Sequence, residues 1–409
     1  MARRRRGRGR LAVALAGVGA LVCGCGGSGH SAGASVAAPP SAPPACSTAV
    51  AAAPDLTGVP TRMIAVGGEP FGIATDAAGR WSFVAVDDGS GSRLEVFSDH
   101  GLAPRLVRTI ELPGAAVRGD GLVDRGRYLL IADAGTGAIV IDVARARTRR
   151  GAAVLGKLSD GTPARPGAIE VTGSPDGRYA FLAAEGAGEV AVYDLERAVA
   201  EHFRTSAYVG SVPLGGSVVG MAISPDGRWM YATSENAAPA LRLGSQGTLS
   251  VIDLAAAERG EGARAVVANV AAHCAPVRVA LSANGATAWV TARESDQLLA
   301  FSTARLRSDP ARALIAAVRV GEAPVGLALV DGGRRIVVAD SNRWRVSGAR
   351  AGLSVVDSAA ALAHRPAVLG TVRSGLFPRE LSLEPGGRTL LVANYGSGQL
   401  EAVGVAALP

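Results

Sequence analysis

Arg278, Arg379 and Glu380 are the residues of this sequence whose types best suit chemistry on a small acid. Two guanidinium groups can hold a carboxylate through paired hydrogen bonds, and a neighbouring carboxylate can move a proton. An arginine and a glutamate can equally neutralise each other. The sequence also lacks the Gly-x-Ser-x-Gly motif of a serine nucleophile. A non-catalytic binding or scaffold role is therefore the leading hypothesis, and an enzyme acting on a small acidic sugar or acid is the alternative.

A second group of candidate binding residues follows two predicted strands, where loops begin. These residues are Asp340, Asn342, Asn394 and Tyr395. Loops carry binding residues more often than strands do, because a rigid scaffold can present them without packing constraints. We expect this group to contribute to a ligand-binding surface.

Trp344 lies between Arg343 and Arg345 on a long predicted loop at 341–352. An exposed indole ring is costly in free energy, because it leaves a large apolar surface in water. The ring is therefore expected either to bind a ligand or to fold back on its own loop, and the sequence leaves both possibilities open.

The histidines are scattered, and none has a ligand spacing such as His-x-x-x-His. Protein sites for zinc usually show such local spacing. We therefore predict no metal site and no cofactor.

The elements that must position these candidates are short β-strands in a repeating unit. Each unit has an apolar run, a turn with glycine, and two further apolar runs; two copies contain Ser-Pro-Asp-Gly-Arg, at 174–178 and 224–228. The turn glycines are Gly79, Gly126, Gly177, Gly227, Gly285, Gly333 and Gly387. Seven units spaced 47 to 58 residues apart predict an all-β fold. We expect a seven-bladed β-propeller with four-stranded antiparallel blades.

The last unit lacks an outer strand of its own. In other units such a strand follows the third run, as at 208–212 and 316–320, but the last unit ends at Pro409. Residues 62–66, before the first unit, form a spare strand. We predict that this N-terminal strand pairs with the last blade and closes the ring, which leaves only protected edges. The predicted domain spans 61–409.

The Ser-Pro-Asp-Gly-Arg turns and the run VANYG at 392–396 resemble the YVTN repeat of β-propeller proteins. The resemblance covers roughly residues 61–406. It implies a seven-bladed ring related to lactonase-type propellers, with ligands bound at the channel mouth. An enzyme would then be of lactonase or isomerase type. The asparagine that this family has at the end of the second strand is present only at Asn394.

Residues 1–24 are predicted to be a secretory signal peptide. They contain six arginines, followed by an uncharged apolar run at 11–22 that is too short for a permanent membrane helix. The run ends in VCGC, which resembles a bacterial lipobox and implies a lipid on Cys25. Cleavage elsewhere is the alternative. Residues 25–60 are rich in Gly, Ser, Ala and Pro and are predicted to be a disordered tether.

The net charge of +7 belongs mostly to the predicted signal peptide. Residues 1–24 hold six arginines and no acid, so the remainder has a net charge of +1. This balance argues against nucleic-acid binding, which needs a basic face on the folded domain. We expect an extracytoplasmic monomer, attached to the bacterial cell membrane only through its lipid. Its partner would be an envelope protein, a glycan or a small molecule.

Cys46 and Cys274 remain after the predicted signal peptide and lipidation site are set aside. Outside the cytoplasm, two thiols can form a disulfide. The sequence does not place them within bonding distance, so a disulfide and two free thiols both remain open.

Overall fold

The computed structural model describes residue 46 and residues 53–98, 101–114, 116–135, 137–148, 151–159, 167–204, 207–243 and 245–409. The predicted signal peptide at 1–24, the predicted lipidation site Cys25 and most of the predicted tether lie outside the described residues. Within the described ranges, no helix is both long and apolar enough to cross a bilayer.

Seven four-stranded antiparallel sheets form the blades in the described part of the chain, which confirms the predicted fold. The innermost strands are β2 (Glu69–Thr75), β6 (Val117–Val123), β10 (Ala168–Gly173), β14 (Val218–Ile223), β18 (Pro276–Leu281), β22 (Pro324–Val330) and β26 (Pro378–Leu383). The second strands are β3 (Trp81–Asp87), β7 (Tyr128–Asp133), β11 (Tyr179–Ala184), β15 (Trp229–Ser234), β19 (Thr287–Ala292), β23 (Arg335–Asp340) and β27 (Thr389–Asn394).

The third strands and the outer strands complete each blade. The third strands are β4 (Ser92–Ser98), β8 (Gly137–Asp142), β12 (Glu189–Asp194), β16 (Thr248–Asp253), β20 (Gln297–Ser302), β24 (Gly352–Asp357) and β28 (Gln399–Gly404). The outer strands are β5 (Arg105–Leu112), β9 (Val154–Leu158), β13 (Tyr208–Pro213), β17 (Val266–Ala271), β21 (Leu314–Arg319), β25 (Val368–Arg373) and, for the seventh blade, β1 (Thr61–Ala65).

The N-terminal strand closes the ring as predicted. Strand β1 pairs antiparallel with β28, so that Thr61 is opposite Val403 and Ile64 is opposite Leu400. The innermost strands of neighbouring blades also pack against one another around the whole ring. The first and last blades are therefore joined both at the rim and at the axis.

Every innermost strand has a register shift close to its start, as between Pro378 and Glu380 in β26. Such a bulge changes the direction in which a side chain points. The residues at these shifts lie on the strands nearest the axis and at the end that carries the long loops. The bulges thus position side chains at the channel mouth.

The Ser-Pro-Asp-Gly-Arg turn is held by its own side chains. The Tyr179 amide donates to Ser174 Oγ at 2.9 Å, and the Gly177 amide donates to Ser174 O at 2.9 Å. Gly177 has φ of +80°, which costs glycine little because it has no Cβ. The turn therefore sets the register between the first and second strands.

Four aspartates cap short helices that leave the third strands. Each carboxylate accepts a hydrogen bond from the backbone amide three residues on, which satisfies a donor at the helix start. The capped helices are α1 (Val143–Ala146, cap Asp142), α2 (Leu195–Ala200, cap Asp194), α3 (Leu254–Glu258, cap Asp253) and α5 (Ser358–Leu362, cap Asp357), while Ser302 caps α4 (Thr303–Ser308).

The hydrophobic core lies between adjacent blades. Phe83 of the first blade packs in one cluster with Leu129 and Ile131 of the second, and all three are fully buried. The second and third strands of the blades bury both faces and are mostly apolar, whereas the outer strands are partly exposed.

The chain contacts the propeller before its first strand begins. The Thr371 amide donates to Pro54 O at 2.8 Å, and the Leu56 amide donates to Thr371 O at 2.8 Å. Asp55 thereby forms a parallel bridge on the outer strand of the sixth blade. Contacts with the domain thus begin inside the range predicted as a tether, because the open edge of β25 has backbone groups free to pair.

Cys46 and Cys274 are joined by a disulfide, with their Cα atoms 6.1 Å apart. Cys274 is buried in the connection that enters the fifth blade. The bond fastens a residue of the predicted tether to the domain.

Candidate functional site

Arg278 and Glu380 meet beside the channel on innermost strands of the fifth and seventh blades. The Nε of Arg278 donates to Glu380 Oε2 at 3.1 Å, and its Nη2 lies 3.0 Å from the same oxygen. Its Nη1 donates to Val219 O and lies 3.7 Å from Glu170 Oε2. Arg278 is 3% exposed. The guanidinium is thus surrounded by acceptors of its own chain.

Glu170, on the third blade, is a second acid that interacts with Arg278. Its Oε2 also accepts from the Met221 amide at 3.2 Å. Burial raises the pKa of Glu170 to about 7, against the opposing effect of Arg278, and the nearby Glu380 raises it further. The cluster therefore contains a carboxyl group that titrates near neutral pH.

Asp120 is a buried acid of this cluster that sequence reasoning missed. Burial, and then the proximity of Glu380, raise its pKa well above the usual range. Neither carboxyl oxygen has a hydrogen-bond partner among the described residues. A Cβ on Gly72 would lie 2.9 Å from Asp120 Cγ, so the glycine makes room for the acid. The sequence did contain a signal for this residue. Asp120 is a charged residue at an inner-strand position where other blades have an apolar one, such as Ile73 or Val171.

Arg379 is packed among aromatic rings rather than paired with an acid. Its guanidinium carbon lies 3.7 Å from the centroid of Phe71, 5.5 Å from that of Phe377 and 5.7 Å from that of Tyr395. Burial, followed by the charges of neighbouring arginines such as Arg278, lowers its pKa to about 9. Its Nε has no hydrogen-bond partner among the described residues.

A pocket of about 840 Å³ opens between the sixth and seventh blades, beside the start of the first. Among the described residues that line it, four are arginines and one, Glu69, is acidic. The lining consists of Glu69, Ser341, Asn342, Arg343, Arg345, Ala349, Arg350, Ala351, Arg373, Ser374, Leu376, Phe377, Tyr395 and Gly396. Of the predicted site residues, Asn342 and Tyr395 are in this lining. Arg278, Arg379, Glu380, Asp340, Trp344 and Asn394 are not.

Arg343 is a half-buried cation in the lining of this pocket. Its side chain makes no hydrogen bond and no ion pair with any described residue, and its guanidinium lies over Trp344 and Phe377 at 5.8 and 5.6 Å. Burial, followed by the charge of Arg293, lowers its pKa. Sequence reasoning used Arg343 only as a neighbour of the tryptophan.

The loop that carries Arg343 is held together by Asn342 and Trp344. Asn342 Nδ2 donates to Ala349 O at 3.0 Å, and its Oδ1 accepts from the Val346 amide at 3.0 Å. Trp344 is only 6% exposed. The indole is thus buried, and the Arg343 guanidinium lies over its ring.

Asp340 and Asn394 are the last residues of β23 and β27, and their side chains make hydrogen bonds inside the protein. Asp340 Oδ2 accepts from Ser354 Oγ at 2.6 Å and from the Ser354 amide at 3.1 Å, while burial raises the pKa of Asp340 to about 8. Asn394 accepts from Ser374 Oγ at 2.9 Å and donates to Glu401 at 2.9 Å. Both side chains are buried, and neither lines the pocket.

Tyr395 connects the pocket to the aromatic group around Arg379. Its ring meets Phe377 at 5.3 Å and Phe71 at 6.1 Å between centroids, both edge to face. Burial and a hydrogen bond to Glu69 raise the pKa of Tyr395. The phenol is therefore neutral at physiological pH and offers the pocket a polar group beside an apolar wall.

No protein-family model matches the sequence, and no curated protein matches it. The structural comparison supports the fold. A hydrazine synthase structure from Kuenenia stuttgartiensis aligns over 84% of this chain and 97% of its own, with a TM-score of 0.63 and 17% sequence identity. At that identity the likeness shows a shared propeller fold alone. Within the described residues, no group of three or more potential ligands could hold a metal ion.

Proposed function

We propose that this chain is an exported, lipid-anchored propeller of the YVTN-repeat type that binds a small carboxylated ligand, such as a sugar acid, at the channel mouth. The proposed binding site is the pocket between the sixth and seventh blades. Export and the lipid on Cys25 are proposed from the N-terminal sequence. The ligand class is proposed from the chemistry of the pocket lining.

The observation that carries the proposal is the state of Arg343. A partly buried cation has lost hydration, and here no described acid is within ion-pair distance of Arg343, although Glu185, Glu235 and Glu294 act on its charge from farther away. A carboxylate can satisfy a guanidinium through two parallel hydrogen bonds, and this interaction strengthens where water is partly excluded. The pocket thus contains donors arranged for a charge that a ligand must bring.

The remaining lining agrees with a small organic acid. A volume of about 840 Å³ is in the range of pockets that enclose small molecules. Phe377 and Leu376 supply apolar surface, and Tyr395 and Ser374 supply hydroxyl groups. This mixture suits a ligand with hydroxyl groups and a carbon skeleton as well as a carboxylate.

Binding is favoured over catalysis by the engagement of the residues that an enzyme would need. Arg278 and Glu380 satisfy each other, and Arg379 is stacked on Phe71. None of these three residues lines the pocket. A lactonase or isomerase of the kind considered from the sequence would need them free to hold a substrate.

The test is calorimetric titration of the full-length protein in detergent with D-gluconate, using the uncharged polyol sorbitol as the matched ligand control. We expect gluconate to bind and sorbitol not to bind. Arg343→Gln should weaken gluconate binding at least tenfold, because it removes the charge while keeping polar atoms. The control variant is Arg334→Gln, on a turn outside the pocket, where Arg334 pairs with Asp331. Absence of gluconate binding, or binding that survives Arg343→Gln, would overturn the proposal.

A further inference from the structure

Two arginines that line the basic pocket, Arg350 and Arg373, are already paired with a carboxylate of this chain. Asp55 Oδ2 accepts from Arg373 Nη2 at 2.6 Å and from Arg373 Nε at 3.1 Å. The same oxygen lies 3.6 Å from Arg350 Nη1. Both arginines line the pocket, whereas Asp55 itself precedes the first strand of the propeller.

The backbone on either side fixes Asp55 in this position. The Thr371 amide donates to Pro54 O, and the Leu56 amide donates back to Thr371 O, so the segment adds to the outer edge of β25. Leu56 also packs against the apolar cluster between the sixth and seventh blades. The carboxylate is therefore held beside the arginines by a docked segment, so a ligand carboxylate has to compete with an intramolecular one.

The ion pairs that Asp55 makes are exposed. The side chain of Asp55 is 37% exposed, and those of Arg373 and Arg350 are 69% and 71% exposed. Exposed ion pairs are weak, because water competes for both charges. The Asp55 carboxylate can thus leave Arg373 at small cost while the backbone pairing remains.

The arginines of the pocket are thus in two different states. Arg343 makes no ion pair with a described acid, whereas Arg373 and Arg350 are partly neutralised by Asp55. A ligand with one carboxylate needs only Arg343. A second carboxylate that pairs with Arg373 or Arg350 competes with Asp55 for them.

We propose that Asp55 is a built-in competitor for the second carboxylate of a dicarboxylate ligand, and that it sets the preference of the pocket between monocarboxylates and dicarboxylates. This inference rests on the proposed function, because it assigns the first carboxylate of the ligand to Arg343. It names Arg350 and Arg373 as the second carboxylate subsite. In the unliganded protein, the Asp55 carboxylate occupies the position that the second carboxylate of the ligand would take.

The test compares two open-chain acids with the same six-carbon skeleton. D-gluconate has one carboxylate, and D-glucarate has two. Both are titrated calorimetrically into the full-length wild type and Asp55→Asn at 0.15 M salt, which weakens interactions between distant exposed charges. The control is Asp331→Asn, which removes the acid of another exposed aspartate–arginine pair, with Arg334.

We expect Asp55→Asn to tighten glucarate binding by roughly three- to fivefold, the size of one exposed ion pair, and to leave gluconate binding unchanged. Asp331→Asn should change neither. An equal gain for both ligands would mean that Asp55 acts only through its general negative field, and no gain for glucarate would mean that it does not compete. Either result would overturn the inference while leaving the pocket intact. Failure of both acids to bind the wild type would instead overturn the proposed function.

Discussion

The guanidinium carbon of Arg379 lies 3.7 Å from the centroid of the Phe71 ring, and this contact joins the seventh blade to the first beside the channel. The two residues occupy corresponding places at the bulges of β26 and β2. A cation over an aromatic face is attracted by the negative charge of the ring surface. Burial and the charges of neighbouring arginines, Arg278 first, lower the pKa of Arg379 to about 9, so the charged form is disfavoured at this position.

Arg379→Met is therefore expected to stabilise the fold or leave it unchanged, by about 0–2 kcal/mol in the free energy of unfolding. Methionine keeps the length and the contact with the ring and removes the buried charge. Differential scanning calorimetry at pH 7 measures the change, with Arg334→Met as the exposed control. A clear drop in Tm for Arg379→Met alone would show that the stacking outweighs desolvation.

Arg278→Met should have the opposite effect, because Arg278 neutralises Glu170 and Glu380 in a buried position. Removing one partner of a buried ion pair leaves an uncompensated charge and costs about 3–5 kcal/mol. Urea unfolding at pH 7.5 measures the loss. Adding Glu380→Gln to Arg278→Met should recover part of it, whereas a loss that the second substitution does not reduce would exclude the charge explanation.

The free energy of unfolding is expected to fall as the pH rises from about 5 to about 8. Burial raises the pKa of Glu170 and Glu322 to about 7 and that of Asp340 to about 8. In this window the folded state holds protons that the unfolded state has released, so a higher pH favours unfolding. Each such group changes the free energy by up to about 1.4 kcal/mol per pH unit.

Thermal unfolding between pH 5 and pH 8 measures this dependence. Asp340→Asn, which keeps the shape of the protonated acid, should flatten the upper part of the curve. A Tm that rises steadily through the window would contradict the assignment of these groups as protonated in the folded state.

Cys25→Ser is expected to move the protein from the membrane fraction to the soluble extracytoplasmic fraction, because a lipid would be the anchor. Cys23→Ser is the matched control and should leave the protein in the membrane fraction. Immunoblotting of the fractions, with the mass of the N-terminal peptide, measures the outcome. Membrane association that survives Cys25→Ser would contradict the predicted lipidation.

The sequence was sufficient to predict the propeller and its closure. Local chemistry that repeats along the chain carries that information: the turn at Gly177 and the apolar strands have counterparts in all seven units, and the cap at Asp194 has aspartate counterparts in three others. The missing strand after Val403 and the spare strand around Ile64 then left one way to complete the last sheet. Periodic local signals of this kind survive without knowledge of the tertiary contacts.

The candidate site was predictable only in part. Sequence reasoning selected Asn342 and Tyr395, which line the pocket. It also selected Arg278, Glu380 and Arg379, which do not line it and contact other residues of the protein instead. A charged residue looks the same in sequence whether an acid from another blade satisfies it or not. The partner of Arg278 is 102 residues away along the chain.

The sequence by itself determined seven similar sheets, their order and the turn chemistry, because each depends on neighbours within one repeat. Only the tertiary structure decided that Arg343 has no ion pair with a described acid while Arg373 pairs with Asp55, 318 residues away. Closing the ring brings side chains from distant repeats to one mouth, and the balance of charge there depends on every blade at once.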